Sequence, residues 1–115
     1  MFSRVSVLVP TRGRIDRLKT LLTSFEITSG DLEDADIIFR VDDDDVETRD
    51  FLFDRHEKVL AGPRFQGYQS MPRFFNELSS VASGDVLMCG NDDMVFKTLH
   101  WPARMLEVAN QYPDG

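Results

Sequence analysis

Residues 36–45 read DIIFRVDDDD, an apolar, β-branched run that passes without a spacer into four consecutive aspartates. Ile37, Ile38, Phe39 and Val41 suit a strand, where successive side chains alternate across a sheet. Such a strand carries its acid groups to one end of whatever sheet it joins. The pattern recurs at 85–93, DVLMCGNDD, where Asp85 to Cys89 predicts a strand running into Gly90, Asn91, Asp92 and Asp93. Nearer the N-terminus, Val5 to Val9 (VSVLV) predicts another strand, closed by Pro10 and followed by Thr11 and Arg12.

Helical patterns lie between these strands. Ile15, Leu18, Leu21, Leu22 and Phe25 recur at helical spacing and give one apolar stripe, which Gly30 stops. Lys58 to Ala61 predicts a short strand ended by Gly62 and Pro63. Ser70 as cap and Pro72 in the first turn predict a helix that buries Phe75, Leu78, Val81 and Ala82 and ends at Gly84. A last helix starts near Pro102, uses Leu106 and Ala109, and stops before Pro113. Strands alternating with helices predict an α/β fold, a mostly parallel open sheet with flanking helices. Ligands of such sheets bind outside the carboxyl ends of the strands. If the strands are parallel, Pro10–Arg12, Asp42–Asp45 and Asn91–Asp93 share one rim.

At 115 residues the chain is expected to form a single domain over 1–115. Its 13 basic and 20 acidic residues give a net charge of −7, which disfavours nucleic-acid backbones and anionic membrane surfaces. No apolar run approaches the roughly 20 residues of a membrane span. A single cysteine, Cys89, excludes an intrachain disulfide, so a reducing cytoplasm is the expected compartment. Cys89 is expected in the core, and His56 and His100 lack ligand or triad spacing. Packing is the expected role of Trp101.

Taken together, VSVLVPTRGR, RVDDDD and MPRFFNELSSVASGDVLMCGNDDM resemble, in order and spacing, the family-2 glycosyltransferases of the GT-A fold. The resemblance runs from about Val5 to Met94 and implies the half of that fold that binds a nucleotide sugar. It implies that Pro10, Thr11 and Arg12 lie against the nucleotide, and that Asp42 or Asp43 accepts a hydrogen bond from a uracil N–H. Arg73 would help hold the base and diphosphate, and Asp92, inside the Asp-x-Asp stretch, counts with the nucleotide-binding residues. Asn91 and Asp93 take the metal positions of an Asp-x-Asp motif, for Mn²⁺ or Mg²⁺. Asn91 departs from that motif, since an amide oxygen ligates these ions without contributing charge. The partner implied is a UDP-sugar. The acceptor region and the catalytic base of the family belong to a later half, which these residues do not reach, so binding is expected rather than turnover.

The chemistry suits the residue types. Transfer leaves a diphosphate with added negative charge, which a carboxylate-held divalent ion neutralises as a Lewis acid. Hard oxygen donors select Mg²⁺ or Mn²⁺, and no Cys/His cluster of zinc type occurs. Arg12, Arg14 or Arg73 add phosphate contacts through a planar fork. Two other readings compete. Asp42, Asp44 and Val46 match the Asp-x-Asp-x-Thr/Val nucleophile of haloacid-dehalogenase-like phosphotransferases, although that motif normally ends the first strand. A non-catalytic module that self-associates through an open sheet edge, as a homo-oligomer, is the other.

Overall fold

The computed structural model describes residues 2–30, 34–63 and 71–111. Strands β1 (Val5–Thr11), β2 (Ala35–Asp42), β3 (Lys58–Gly62) and β4 (Val86–Cys89) alternate with helices α1 (Ile15–Thr28), α2 (Val46–Asp54), α3 (Met71–Val81) and α4 (Trp101–Gln111). The strands form one sheet in the order β3-β2-β1-β4, and every adjacent pair is parallel. This is the expected α/β architecture. Its order has a consequence the sequence alone does not give. The chain moves outward from β1 to β2 and β3, then crosses back to place β4 on the other side of β1. The direction therefore reverses between β1 and β4, which is where open α/β sheets form their crevice.

Strand alternation divides the core. Val5, Val7 and Val9 of β1 and Ala35, Ile37, Phe39 and Val41 of β2 face one side. There they meet Leu18, Leu21, Leu22 and Phe25 of α1, Leu52 of α2, and Trp101 and Leu106 of α4. The opposite face carries Leu8 and Ile38, packed under Leu78 of α3 with Phe75 and Ala82 beside them. Burying a Leu or Phe side chain contributes about 1.5–3 kcal/mol, so the larger cluster is the main source of cohesion. Trp101 stacks on Phe96 with ring centroids 4.7 Å apart, as its packing role predicts.

Several elements differ from expectation. Helix α2 stands where no element is predicted, because VETRDFLFD buries only Thr48 and Leu52 and so shows little apolar periodicity. β1 continues through Pro10 to Thr11. Pairing with β4 ends at Leu8↔Cys89, so Pro10 lies where β1 has a neighbour on one side only. Val81 is 52% exposed rather than buried, since α3 ends there and Ala82 takes the inward position. Cys89 is exposed. It shares a face with Leu8, and α3 packs over β1 and β2 while leaving Leu87 and Cys89 of β4 uncovered. Ser70 and Pro113 lie outside the described residues.

A buried polar network ties the amino ends of the strands. Asp36 accepts from the Ser6 hydroxyl at 2.6 Å and from Lys58 at 2.5 Å, and Ser6 Oγ accepts the Gly84 N–H at 2.9 Å. Burial pushes the Asp36 carboxyl up, but the Lys58 and Ser6 hydrogen bonds outweigh it and hold the group below its ordinary value.

Candidate functional site

The three motifs meet at the carboxyl ends of the strands. Thr11 and Arg12 are consecutive, and they reach in opposite directions. Thr11 Oγ1 donates to Asp92 Oδ2 at 3.1 Å, joining the end of β1 to the turn after β4. Arg12 Nη1 donates to Asp42 Oδ2 at 2.9 Å and to Asp44 Oδ1 at 2.5 Å, while Nη2 donates to Asp44 Oδ2 at 3.1 Å. The hydrogen bonds from Arg12 to Asp44, and then to Asp42, raise the guanidinium further above its usual value, so it stays charged. One pair of residues thus links β2, β1 and β4 along the rim.

The acids here are matched by arginines. Arg14 Nη1 lies 3.4 Å from Asp92 Oδ1 and 3.6 Å from Asp93 Oδ2, and Arg17 pairs with Asp93. Asp92 is buried, whereas Asp93 and Asn91 are exposed. Asn91 Oδ1 accepts the Asp93 N–H at 2.9 Å, which is the Asx turn that shapes this corner. Among the described residues, no group of three or more His, Cys, Asp or Glu side chains is gathered as a ligand set for a metal ion.

Asp42 and Asp43 part company. Asp42 is buried, with Oδ1 taking Arg40 Nη1 at 3.1 Å and Oδ2 taking Arg12. Asp43 is exposed, and its N–H donates to the Gly62 carbonyl at 2.7 Å. Among the described residues its carboxylate makes no hydrogen bond or ion pair. Arg73 is exposed on the first turn of α3, and Pro10 is half-buried on β1.

Arg40 is a residue the sequence reading missed. It is 1% exposed and donates to Asp42, to Glu77 Oε2 at 2.9 Å, to the Val41 carbonyl at 3.0 Å and to the Pro63 carbonyl at 2.7 Å. Its guanidinium also lies 4.7 Å from the centroid of the Phe74 ring. One side chain thereby fixes the ends of β2 and β3 to α3. Strand alternation puts residues 40 and 42 on one face, and that was the available signal.

The helices leave their N-termini open to the rim. Neither α1 nor α2 has a side-chain cap; Asp45, at the cap position of α2, instead accepts the Gly13 N–H at 2.7 Å. Uncapped N–H groups with the positive end of the helix dipole favour an anion. Between the two helix starts lies a cavity of about 380 Å³ bordered by Gly13, Arg14, Arg17, Glu47 and Thr48. A second, of about 270 Å³, is bordered by Arg17, Thr20, Asp92, Asp93 and Met94.

This arrangement has solved counterparts. Over 96% of the chain, the structure superposes on S. aureus TarS 1–349 in complex with UDP-GlcNAc, with a TM-score of 0.71 and 12% identity. The fold is GT-A-like. The UDP complex of the same TarS fragment gives a TM-score of 0.68 at 13% identity, again over 96% of the chain. A structure of S. aureus TarS gives 0.68 at 15% identity over 94%. The chain spans 33% of the TarS fragment bound to UDP and 20% of the TarS chain. No protein-family model and no curated protein matches the sequence. Among the described residues of this GT-A-like chain, no helix is long and apolar enough to cross a membrane.

Proposed function

We propose that this GT-A-like chain binds a nucleoside-diphosphate sugar, with a UDP-sugar the first choice, and presents it for glycosyl transfer. The observation that carries the reading is the bridge made by Thr11 and Arg12, which gathers the ends of β2, β1 and β4 at the point where the sheet reverses direction. The complexes of TarS with UDP and UDP-GlcNAc on the same architecture support the ligand class.

In this reading Pro10, Thr11 and Arg12 form the floor under the nucleoside. Asp43, exposed and without a partner among the described residues, accepts the base N–H, while Asp42 and Arg40 hold the loop that presents it. Arg73 approaches the diphosphate from the start of α3. The turn Asn91–Asp93 is the metal position. Its oxygen donors suit Mn²⁺ or Mg²⁺, and an ion there would take its remaining ligands from phosphates and water. Such an ion supplies charge neutralisation for the departing diphosphate.

Calorimetric titration with UDP, GDP and their sugars, each with Mn²⁺ and with chelator, tests the reading. Binding of UDP and a UDP-sugar at micromolar to submillimolar concentrations is expected. No binding of any nucleotide in either condition removes it.

A further inference from the structure

Arg40 is 1% exposed, on the face of the sheet that also carries Leu8 and Ile38. An apolar pair in place of a buried ion pair is often neutral or stabilising, so cohesion alone does not call for charges at 40 and 42. What a guanidinium adds is direction, because its planar fork fixes several partners at once. Those partners fall on two sides of the rim. On the strand side, Arg40 Nη1 donates to Asp42 and Nη2 to the Pro63 carbonyl, and a Cβ on Gly62 would lie 2.8 Å from Nη2. The carbonyl of that same Gly62 accepts the Asp43 N–H, so the arginine packs against the backbone that anchors Asp43. On the helix side, Nε donates to Glu77 at 2.9 Å, and the guanidinium lies 4.7 Å from the ring of Phe74, the residue after Arg73.

We infer that Arg40 is a positioning residue. It holds the corner bearing Asp43 and the first turn of α3 bearing Arg73 at one fixed separation, so that the site prefers an intact nucleoside diphosphate to the nucleoside alone. The inference rests on the nucleotide-sugar reading, in which Asp43 takes the base and Arg73 the diphosphate, and adds what sets their spacing. Two contacts on one ligand reinforce each other only when their spacing matches the ligand. A first turn of α3 released from Arg40 must be ordered at each binding event, and that cost falls on the diphosphate end. The base end keeps its anchor, since Asp42 retains both Arg12 and Arg40.

The Phe74→Leu/Glu77→Leu variant cuts both ties from Arg40 to α3 and tests this. UDP affinity is read by calorimetry, and uridine affinity by NMR shifts, which report weak binding. UDP is expected to bind about tenfold more weakly than to the unmodified chain, and uridine to stay within about twofold. A thermal melt checks that the variant is folded. Phe74→Leu alone leaves Glu77 in place four residues from Arg73; it is expected to give a smaller loss of the same kind, and carries the test if the double variant does not fold. Equal losses for uridine and UDP overturn the inference, since general loosening of the site then explains both. Undiminished UDP affinity overturns it too, as does an unmodified chain that binds UDP but not uridine; in each case UDP binding leaves the nucleotide reading standing. If the unmodified chain binds no UDP, the nucleotide reading falls and the inference falls with it.

Discussion

Thr11 Oγ1 donates to Asp92 Oδ2 across 81 residues of sequence, and both partners are buried. Strands β1 and β4 stop pairing at Leu8↔Cys89, and beyond the ladder this bond joins their ends together with the Gly90 N–H to Leu8 carbonyl bond and the Arg14–Asp92 pair. The sheet reverses direction between the same two strands, so the bond lies at the place where open α/β sheets bind their ligands.

Thr11→Val keeps the shape of the side chain and removes the donor. Leaving Asp92 with Arg14 as its remaining partner costs about 1.5–3 kcal/mol, the range for a lost hydrogen bond to a charged group. Urea denaturation is expected to show a lower midpoint with an unchanged slope. UDP affinity is expected to fall as well, because the floor of the crevice loosens.

Arg40 gives the largest expected effect of any single change at the rim. Arg40→Met leaves Asp42 buried with only Arg12 and strips Glu77 and the Pro63 carbonyl of their donor. Breaking a buried pair on one side costs about 3–5 kcal/mol. The Arg40→Met/Asp42→Asn double variant removes the stranded charge and is expected to recover part of that loss in a thermal melt. Gly62 belongs to the same unit: a Cβ there lies 2.8 Å from Arg40 Nη2, so Gly62→Ala is expected to displace the guanidinium.

The amino end of the sheet sets a pH response of definite sign. Asp36 is held below its ordinary value in the folded chain, so between its folded and unfolded values the unfolded state binds more protons. Its contribution is fully present above about pH 4, the unfolded carboxylate range, and is lost as the pH falls through the folded value. Glu57 works the other way: burial raises it, so protonation favours the folded state there. Denaturation curves at pH 7 and pH 3 are expected to show a steeper acid loss in the unmodified chain than in Lys58→Met, which lacks the strongest partner of Asp36.

The sequence made the sheet legible because its strands are apolar runs with unambiguous stops, and parallel pairing followed from helices lying between them. That the three motifs share a rim then followed from topology alone. Helix α2 was hidden because two buried residues make no stripe. Arg40 was hidden because an arginine in a strand reads as a solvent-facing residue; only the sheet shows that residue 40 points at α3 with Asp42 beside it. The pairing of Asp92 and Asp93 with Arg14 and Arg17 was out of reach for a related reason. Sequence separates those groups by 75 residues or more, and the turn of chain that joins them exists only after β4 has crossed back beside β1.

The two neighbouring aspartates at the end of β2 separate binding from stability. Asp42 is buried and doubly paired with arginines, whereas the Asp43 carboxylate is exposed and makes no bond among the described residues. A residue that serves the ligand is expected to weaken binding when truncated while leaving the fold intact, and a strut is expected to do the reverse. Asp43→Ala is expected to keep the melting temperature within about 2 °C, since exposed substitutions cost within about 0.5 kcal/mol. It is also expected to weaken UDP binding about tenfold, the worth of one charge-assisted hydrogen bond. Asp42→Ala leaves Arg40 buried with fewer partners and is expected to lower the melting temperature by several degrees. Calorimetry and thermal melts on the same two variants decide the matter: if Asp43→Ala binds UDP as well as the unmodified chain does, the base is not held by the loop after β2, and the nucleoside must be placed elsewhere on the rim.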